Sequence, residues 1–308
     1  MLKSKAIVLA KIETTYGVDA SPTAAANAIL CEEPEIEVLG KKLERNNTRS
    51  YLGALTPLNI GEGIKISFGT ELKGSGTAGT APEIGPLLRA CGLTETVVAS
   101  TSVTYDPHSD VLNGESVTLY FYRDAILHKV LGARGNVSLE AKAGEFAKLK
   151  FELTGLYAGP VDTTLPTGTF NAVLPPVFQN ASFSLDGYSA VIENLSVNLG
   201  NEIAKRVDAN AASGIKEYFI RARAVTGECD PEVVPLSTKD FWSAWSNSSR
   251  VALSATIGSA AGNICTITAP KVAFDVPKYA DREDLLTYGL SLIFTPDTGN
   301  DEISIAFT

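Results

Sequence analysis

The order of sequence elements in residues 31–157 recurs in residues 181–308, and this duplication limits the fold more than any motif does. In the first copy, Glu35-Ile36-Glu37-Val38-Leu39-Gly40 leads into a polar stretch with Lys41, Lys42, Arg45 and Arg49. In the second, Leu195-Ser196-Val197-Asn198-Leu199-Gly200 leads into Glu202, Lys205 and Arg206. Ile64-Lys65-Ile66-Ser67-Phe68 and Ile220-Arg221-Ala222-Arg223-Ala224 follow, each with apolar residues at every second position, as a half-buried strand requires. Each copy then reaches a short helix: Pro82 to Cys91, with a proline suited to a first turn, and Ser237 to Trp245, which opens on capping residues. Phe241 and Trp245 stand four apart, so both are expected to bury against a sheet.

Strands return after each helix. Val117, Leu119 and Phe121, then Val137, Leu139 and Ala141, then Leu149, Phe151 and Leu153 mark them in the first copy. Val251, Leu253, Ala255 and Ile257, then Val272 and Phe274, then Leu290, Leu292 and Phe294 answer in the second. A repeat this long makes two domains rather than a solenoid. The Pro/Gly/Thr-rich stretch from Ala158 to Gly168, followed by Pro175-Pro176, is the best linker. The expected organisation is an arm over 1–30, a first domain over 31–157, a linker over 158–180 and a second domain over 181–308. Arm and linker carry too few aligned apolar positions to form a domain and are expected to order on assembly.

The fold class is mainly β, and composition agrees: 44% hydrophobic, 20% charged, with few helix-length periodic segments. A net charge of -9 argues against whole-surface affinity for nucleic acid or anionic membrane. Ala6-Ile7-Val8-Leu9-Ala10 stops at Lys11, too short for a signal-peptide core or a membrane span, so folding in the cytoplasm without a membrane anchor is expected.

Chemistry-bearing motifs are weak. Cys31, Cys91, Cys229 and Cys265 are widely spaced and only His108 and His128 accompany them, so they read as buried free thiols rather than a metal site. Asn46, Asn136, Asn180, Asn194 and Asn247 head Asn-x-Ser/Thr triplets and read as ordinary strand and turn residues. Gly74-Ser75-Gly76-Thr77-Ala78-Gly79 fits the dinucleotide spacing, but the following helix is short, carries Gly85 and Pro86, and no parallel strand completes a βαβ unit. No G-x-S-x-G elbow occurs, and no nucleophile, base and oxyanion site assemble. No catalytic residue and no cofactor are expected.

Three stretches carry a family resemblance: Glu13-Thr14-Thr15-Tyr16-Gly17 through Asn27-Ala28-Ile29-Leu30; Gly74 through Cys91-Gly92; and Pro175-Pro176-Val177-Phe178 leading to Phe183-Ser184-Leu185-Asp186-Gly187. Together they resemble the major tail tube protein of long-tailed bacteriophages, of the non-contractile type. The resemblance spans most of the chain and turns the glycine-rich loop into a structural one. It implies two tandem tail-tube-like β-sandwich or partial-barrel domains, each with one short flanking helix, and a virion protein that polymerises as stacked rings. Six domains make such a ring, so two per chain imply a trimer with pseudo-sixfold symmetry. The implied partners are further copies of the chain, a tape measure protein in the lumen, tail terminator and tail-tip proteins, and DNA that passes without specific binding.

The polar loops 41–60 and 201–216 are the candidate contacts between subunits or rings, through Lys41, Lys42, Arg45, Arg49, Glu202, Lys205 and Arg206. The lumen is expected to be acidic or neutral, because a wall rich in lysine and arginine grips phosphate. A capsid decoration or other virion structural protein shares most of these features. A tandem β-sandwich adhesin shares the strands but wants an export signal. A contractile-tail inner tube needs a sheath partner.

Overall fold

The computed structural model describes residues 5–110 and 112–308, so residues 1–4 of the expected arm lie outside the described residues. Half of the chain is strand and 4% is helix, which leaves most of the burial to the sheets. The first half runs β1 (Ala6–Ile12), β2 (Ala28–Ile29), β3 (Glu32–Leu43), β4 (Leu58–Glu71), α1 (Gly85–Ala90), β5 (Leu93–Val98), β6 (Ser102–Pro107), β7 (Val117–Arg123), β8 (Ile126–Lys142) and β9 (Lys148–Asp162). The second runs β10 (Ser184–Leu185), β11 (Asn194–Asn198), β12 (Glu202–Val207), β13 (Ile215–Ala222), β14 (Thr226–Cys229), α2 (Phe241–Ser246), β15 (Val251–Ile257), β16 (Cys265–Phe274), β17 (Lys278–Arg282), β18 (Leu285–Thr295) and β19 (Ser304–Phe307).

One layer is a run of antiparallel pairings in the order β3-β4-β9-β8-β11-β14-β18-β17, four strands from each half. The other layer holds β2-β1-β7 of the first half and the run β10-β15-β16-β19-β6-β5, in which β6 and β5 of the first half extend the strands of the second. Two strands stitch the layers. β8 pairs with β7 through its first half and with β11 through its second, and β16 divides itself between β19 and β18. The result is a β-sandwich of open sheets with no closed barrel. Alternation accounts for it: along β9, Leu149, Phe151 and Leu153 are buried while Lys148 and Lys150 are exposed.

The two halves share one core. Val137, Leu139 and Leu149 meet Val197, Leu199, Ile267, Ile303 and Ile305 in a single buried apolar cluster. α1 has Pro86 in its first turn and buries Leu87, Leu88 and Ala90. Asp240 caps α2, accepting from the Ser243 amide at 2.9 Å, and Phe241 lies edge-on to Phe274 and Tyr288 with centroids 5.8 Å away. Trp245 stays 38% exposed, against expectation; Trp242 packs instead, its indole N–H donating to the Tyr288 hydroxyl at 3.2 Å.

Three readings of the sequence need correction. Residues 6–12 are ordered within the single chain: β1 pairs along its whole length with β7, and Ile7, Val8, Leu9 and Ala10 are all buried. Val8 and Ala10 enter the main core, while Ile7 and Leu9 face a second cluster with Ala28, Tyr120 and Leu127. The alternating segment from Ile220 to Ala224 is not the counterpart of Ile64 to Phe68. It ends the hairpin β12–β13, whose second strand buries Ile215, Glu217, Tyr218 and Ile220, and the strand that pairs with β18 as β4 pairs with β9 is β14. Finally, residues 158–162 of the expected linker are the end of β9.

Candidate assembly face and edges

One face of the eight-strand layer is polar. Buried residues alternate with Lys65 on β4, with Lys148, Lys150 and Glu152 on β9, and with Glu140 and Lys142 on β8, and Glu35 and Glu37 extend the face onto the edge strand β3, none of whose residues is buried. Ser196 on β11, Glu228 on β14, Ser291 on β18 and Lys278 on β17 continue it across the second half. Acids and lysines are interleaved: Lys65 pairs with Glu152 at 2.9 Å and Lys148 with Glu32 at 2.7 Å. A groove runs along this face where the halves meet, lined by Glu140, Lys142, Ser196, Glu228, Lys278 and Ser291 among others.

The halves are joined by the seam between β8 and β11, in which Leu139 stands opposite Val197 and Ala141 opposite Leu195. All four are at most 4% exposed. Asparagines hold one end of the seam: the Asn136 amide donates to Asn198 at 2.8 Å, and the Asn201 side-chain amide donates to the carbonyls of Cys91 and Gly135 at 2.6 and 3.0 Å. At the other end the Asp230 carboxylate accepts from the backbone of Glu193 and Asn194 and lies 3.5 Å from Arg282. Two of the Asn-x-Ser/Thr asparagines, Asn136 and Asn194, thus hold seam contacts.

Two arms project beside the seam: the outer ends of β3 and β4 with the loop 44–57, and the hairpin of β12 and β13. Lys41 and Lys42 stand at the exposed end of β3, and Lys42 reaches Glu44 at 3.4 Å. Arg45 and Arg49 are in the loop; Arg49 bonds the Gly53 carbonyl and lies 4.7 Å over the Tyr51 ring. Lys41 and Arg45 make no ion pair among the described residues. The second set is engaged within the chain. On β12, Glu202 pairs with Arg221, Lys205 with Glu62 of the first arm at 2.8 Å, and Arg206 with Glu217 at 2.9 Å. The expected contact residues therefore form two separate groups: the second is paired within the chain, and in the first only Lys41 and Arg45 make no contact of this kind among the described residues.

Sequence reasoning missed the residues that fasten the arms. Arg134, 3% exposed, donates to the carbonyls of Gly114, Glu115 and Tyr218 and faces Glu217 at 3.5 Å. Its guanidinium also lies 4.9 Å from the Tyr16 ring. The Tyr16 hydroxyl accepts from the Tyr218 amide at 2.7 Å, and burial pushes its ionisation well above the ordinary tyrosine range. Glu13 is buried with its carboxylate accepting from Ser116, Thr118 and the amides of Gly17 and Gly132 at 2.7–2.8 Å. The only sequence signal was the stretch from Glu13 to Gly17.

The glycine-rich loop is a packing device. The Gly74 amide donates to Asn263 at 2.8 Å and the Gly76 amide to the Gly262 carbonyl at 3.0 Å, so the loop docks on the second half. Cys91, Cys229 and Cys265 are buried and Cys31 half-buried; burial pushes the thiols of Cys31, Cys229 and Cys265 up to about 12. Among the described residues no cluster of His, Cys, Asp and Glu has a metal-binding arrangement. No described helix is long and apolar enough to cross a membrane.

No curated protein matches the chain. The family model described as phage tail tube protein matches residues 3–305, nearly its whole length, on an open β-sandwich with one polar sheet face. The chain belongs to the phage tail tube protein family and is a structural component of the virion tail.

Proposed function

We propose that three copies close into a ring, that rings stack into the tail tube, and that the polar face of the eight-strand layer lines the conduit for DNA ejection. The observation that carries this reading is the layer itself: one chain contributes two like sets of four strands, already joined edge to edge and polar on one side. Three such layers supply about 24 strands, which at about 4.8 Å spacing and the usual tilt close a cylinder roughly 45–50 Å across the backbone. After side chains are subtracted, duplex DNA fits. Each half acts as one tube domain, and the pseudo-sixfold ring follows from three chains with two domains each.

Closure also removes a hazard, since an open edge invites uncontrolled strand addition. The free group on the first arm, Lys41 and Arg45, serves contacts with the next ring, together with the exposed Tyr51 and Leu52 of the loop tip. A tape measure protein in the lumen, a tail terminator and tail-tip proteins complete the set of partners. Assembly takes place in the host cytoplasm.

Negative-stain electron microscopy of the purified chain tests the proposal. End-on class averages with six similar lobes in threefold arrangement and an open centre are expected. A chain that stays monomeric at every concentration, also with tail-tip components added, counts against it.

A further inference from the structure

The segment that leads from β9 to the second half crosses a buried amine. Residues 163–176 hold no strand or helix, yet they lie fixed along the first half, the Thr163 amide donating to the Ala125 carbonyl at 2.9 Å and the Thr169 amide to the Ala24 carbonyl at 3.0 Å. At Asn171 this segment meets Lys73, the one buried lysine among the described residues, 3% exposed. Its Nζ donates to the Asn171 backbone carbonyl at 3.1 Å and lies 3.2 Å from Glu71 and 3.9 Å from Glu83. Glu83 touches both partners, because its other carboxylate oxygen accepts from the Asn171 amide at 3.2 Å.

We propose that Lys73 and Asn171 condense into an intramolecular isopeptide bond, with Glu83 carrying the protons. A lysine amine is a nucleophile once it has given up its proton, and this one is held out of water against the residue it attacks. Nζ has to pass only from the backbone carbonyl of Asn171 to the carboxamide carbon of the same residue. That carboxamide is already oriented. Its Oδ1 accepts from the Val173 amide at 2.9 Å, a donor placed where negative charge develops during attack, and its Nδ2 donates at 3.1 Å to the carbonyl of Gly74, the residue next to Lys73. Burial raises the Glu83 carboxyl above its ordinary value, with Lys73 opposing, which suits a group that takes up a proton and returns it.

The step balances without an oxidant or a co-reactant. Glu83 takes one proton from the Lys73 ammonium, and the freed pair on Nζ forms the bond to Asn171 Cγ. Glu83 then gives its proton to Nδ2 and takes a second from Nζ; the Cγ–Nδ2 bond breaks, the carbonyl reforms and ammonia leaves. The product ties together two positions 98 residues apart and fastens the connection between the halves to the first half covalently.

Intact-mass spectrometry of the full-length chain tests this. The wild type should be lighter by one ammonia than its sequence requires and yield, on proteolysis, a branched peptide joining Lys73 to Asn171. Lys73→Arg and Glu83→Gln should each show the full mass and no branched peptide. On a reducing, denaturing gel the wild type should run ahead of both, because its unfolded chain still holds a closed loop. A wild type at full mass, fresh and after prolonged incubation, overturns the proposal whatever the variants do, and leaves an ordinary buried ion pair. Ammonia is also lost when an Asn-Gly step such as Asn113-Gly114 closes on itself. A loss that persists in Lys73→Arg and carries no branched peptide has that origin and equally overturns the proposal.

Discussion

Arg134 of the first half and Glu217 of the second face each other at 3.5 Å, both nearly withdrawn from solvent. A charge in such a place is tolerated only when it is paired and its remaining hydrogen-bonding groups are satisfied. Here the guanidinium is shared between Glu217 and three carbonyls, and Glu217 also accepts from Arg206. The pair holds the β12–β13 hairpin against the end of β8, so the second arm is fixed before any neighbour arrives.

Arg134→Met should therefore destabilise the chain by about 3–5 kcal/mol, the usual loss when one member of a buried pair is left alone. Adding Glu217→Gln should recover part of that loss, because the buried carboxylate, left with Arg206 as its one cationic partner, is gone. Urea unfolding of unassembled protein measures both. A single variant within ~0.5 kcal/mol of wild type contradicts the role given to the pair.

Gly74 and Gly262 touch backbone to backbone across the two halves. A Cβ on Gly74 falls 2.0 Å from the Gly262 carbonyl oxygen, and one on Gly262 falls 2.3 Å from the Thr77 amide. Gly74→Ala is expected to cost about 1–3 kcal/mol or more through displaced backbone. Gly144 also has a positive φ of 82° but nothing within 4 Å, so Gly144→Ala meets only the left-handed conformation and costs about 1 kcal/mol. Thermal melts of the two variants should rank in that order.

Deleting residues 1–12 removes β1 and with it four buried side chains, two from each apolar cluster. At about 1.5–3 kcal/mol for each large apolar side chain, the loss is of the order of a domain's whole stability. The truncated chain should be unfolded or aggregated by circular dichroism and gel filtration. A folded truncation that merely fails to polymerise returns residues 1–12 to the role of a strap.

Why this strand was not legible, and others were, has a physical cause. Strands with one wet face, such as β9, announce themselves through alternation of Leu149, Phe151 and Leu153 with Lys148 and Lys150. β1 is buried on both faces and reads as a short apolar run, without period. β17, Lys-Tyr-Ala-Asp-Arg, is an exposed edge strand and carries almost no burial signal. The β5–β6 hairpin was overlooked because its first strand is an exposed edge with little alternation, Thr94, Val97 and Val98 all open. The duplication itself was legible, but the second copy bends its strand between Ala222 and Thr226, so matching by apolar period paired the wrong segments. Of the candidate site, the basic positions were visible; the intrachain partners of Lys205 and Arg206 depend on contacts far apart in sequence.

Unassembled protein should lose stability as pH falls from about 7 toward 5. Burial lowers the His108 imidazole below its ordinary value, with Arg223 adding repulsion, and burial followed by Arg123 does the same for His128. The unfolded chain then binds protons more tightly than the folded one. The contribution of neutral histidine is fully present above the unfolded value of about 6.5 and is lost as pH drops through it toward the lowered folded value. The urea midpoint should fall over this window, and His108→Gln with His128→Gln should flatten the fall.

The polar sheet face carries the last prediction. If it lines the conduit, its interleaved charge matters more than the net charge of -9, because duplex DNA passing through meets this wall and little else. Glu140 and Glu228 flank the groove at the internal seam, are exposed, and make no ion pair among the described residues, so replacing them leaves the fold's own contacts intact. Glu140→Lys with Glu228→Lys makes that stretch of wall strongly basic in every chain of the ring. Tubes of the double variant should form normally yet retain short duplex DNA at about 50 mM salt and release it at about 200 mM, the dependence expected when lysines displace counterions from phosphate. Wild-type tubes should retain none at either salt. Equal DNA retention by variant and wild-type tubes would place this face outside the lumen, since the same charge change on a wall that DNA never meets has nothing to grip.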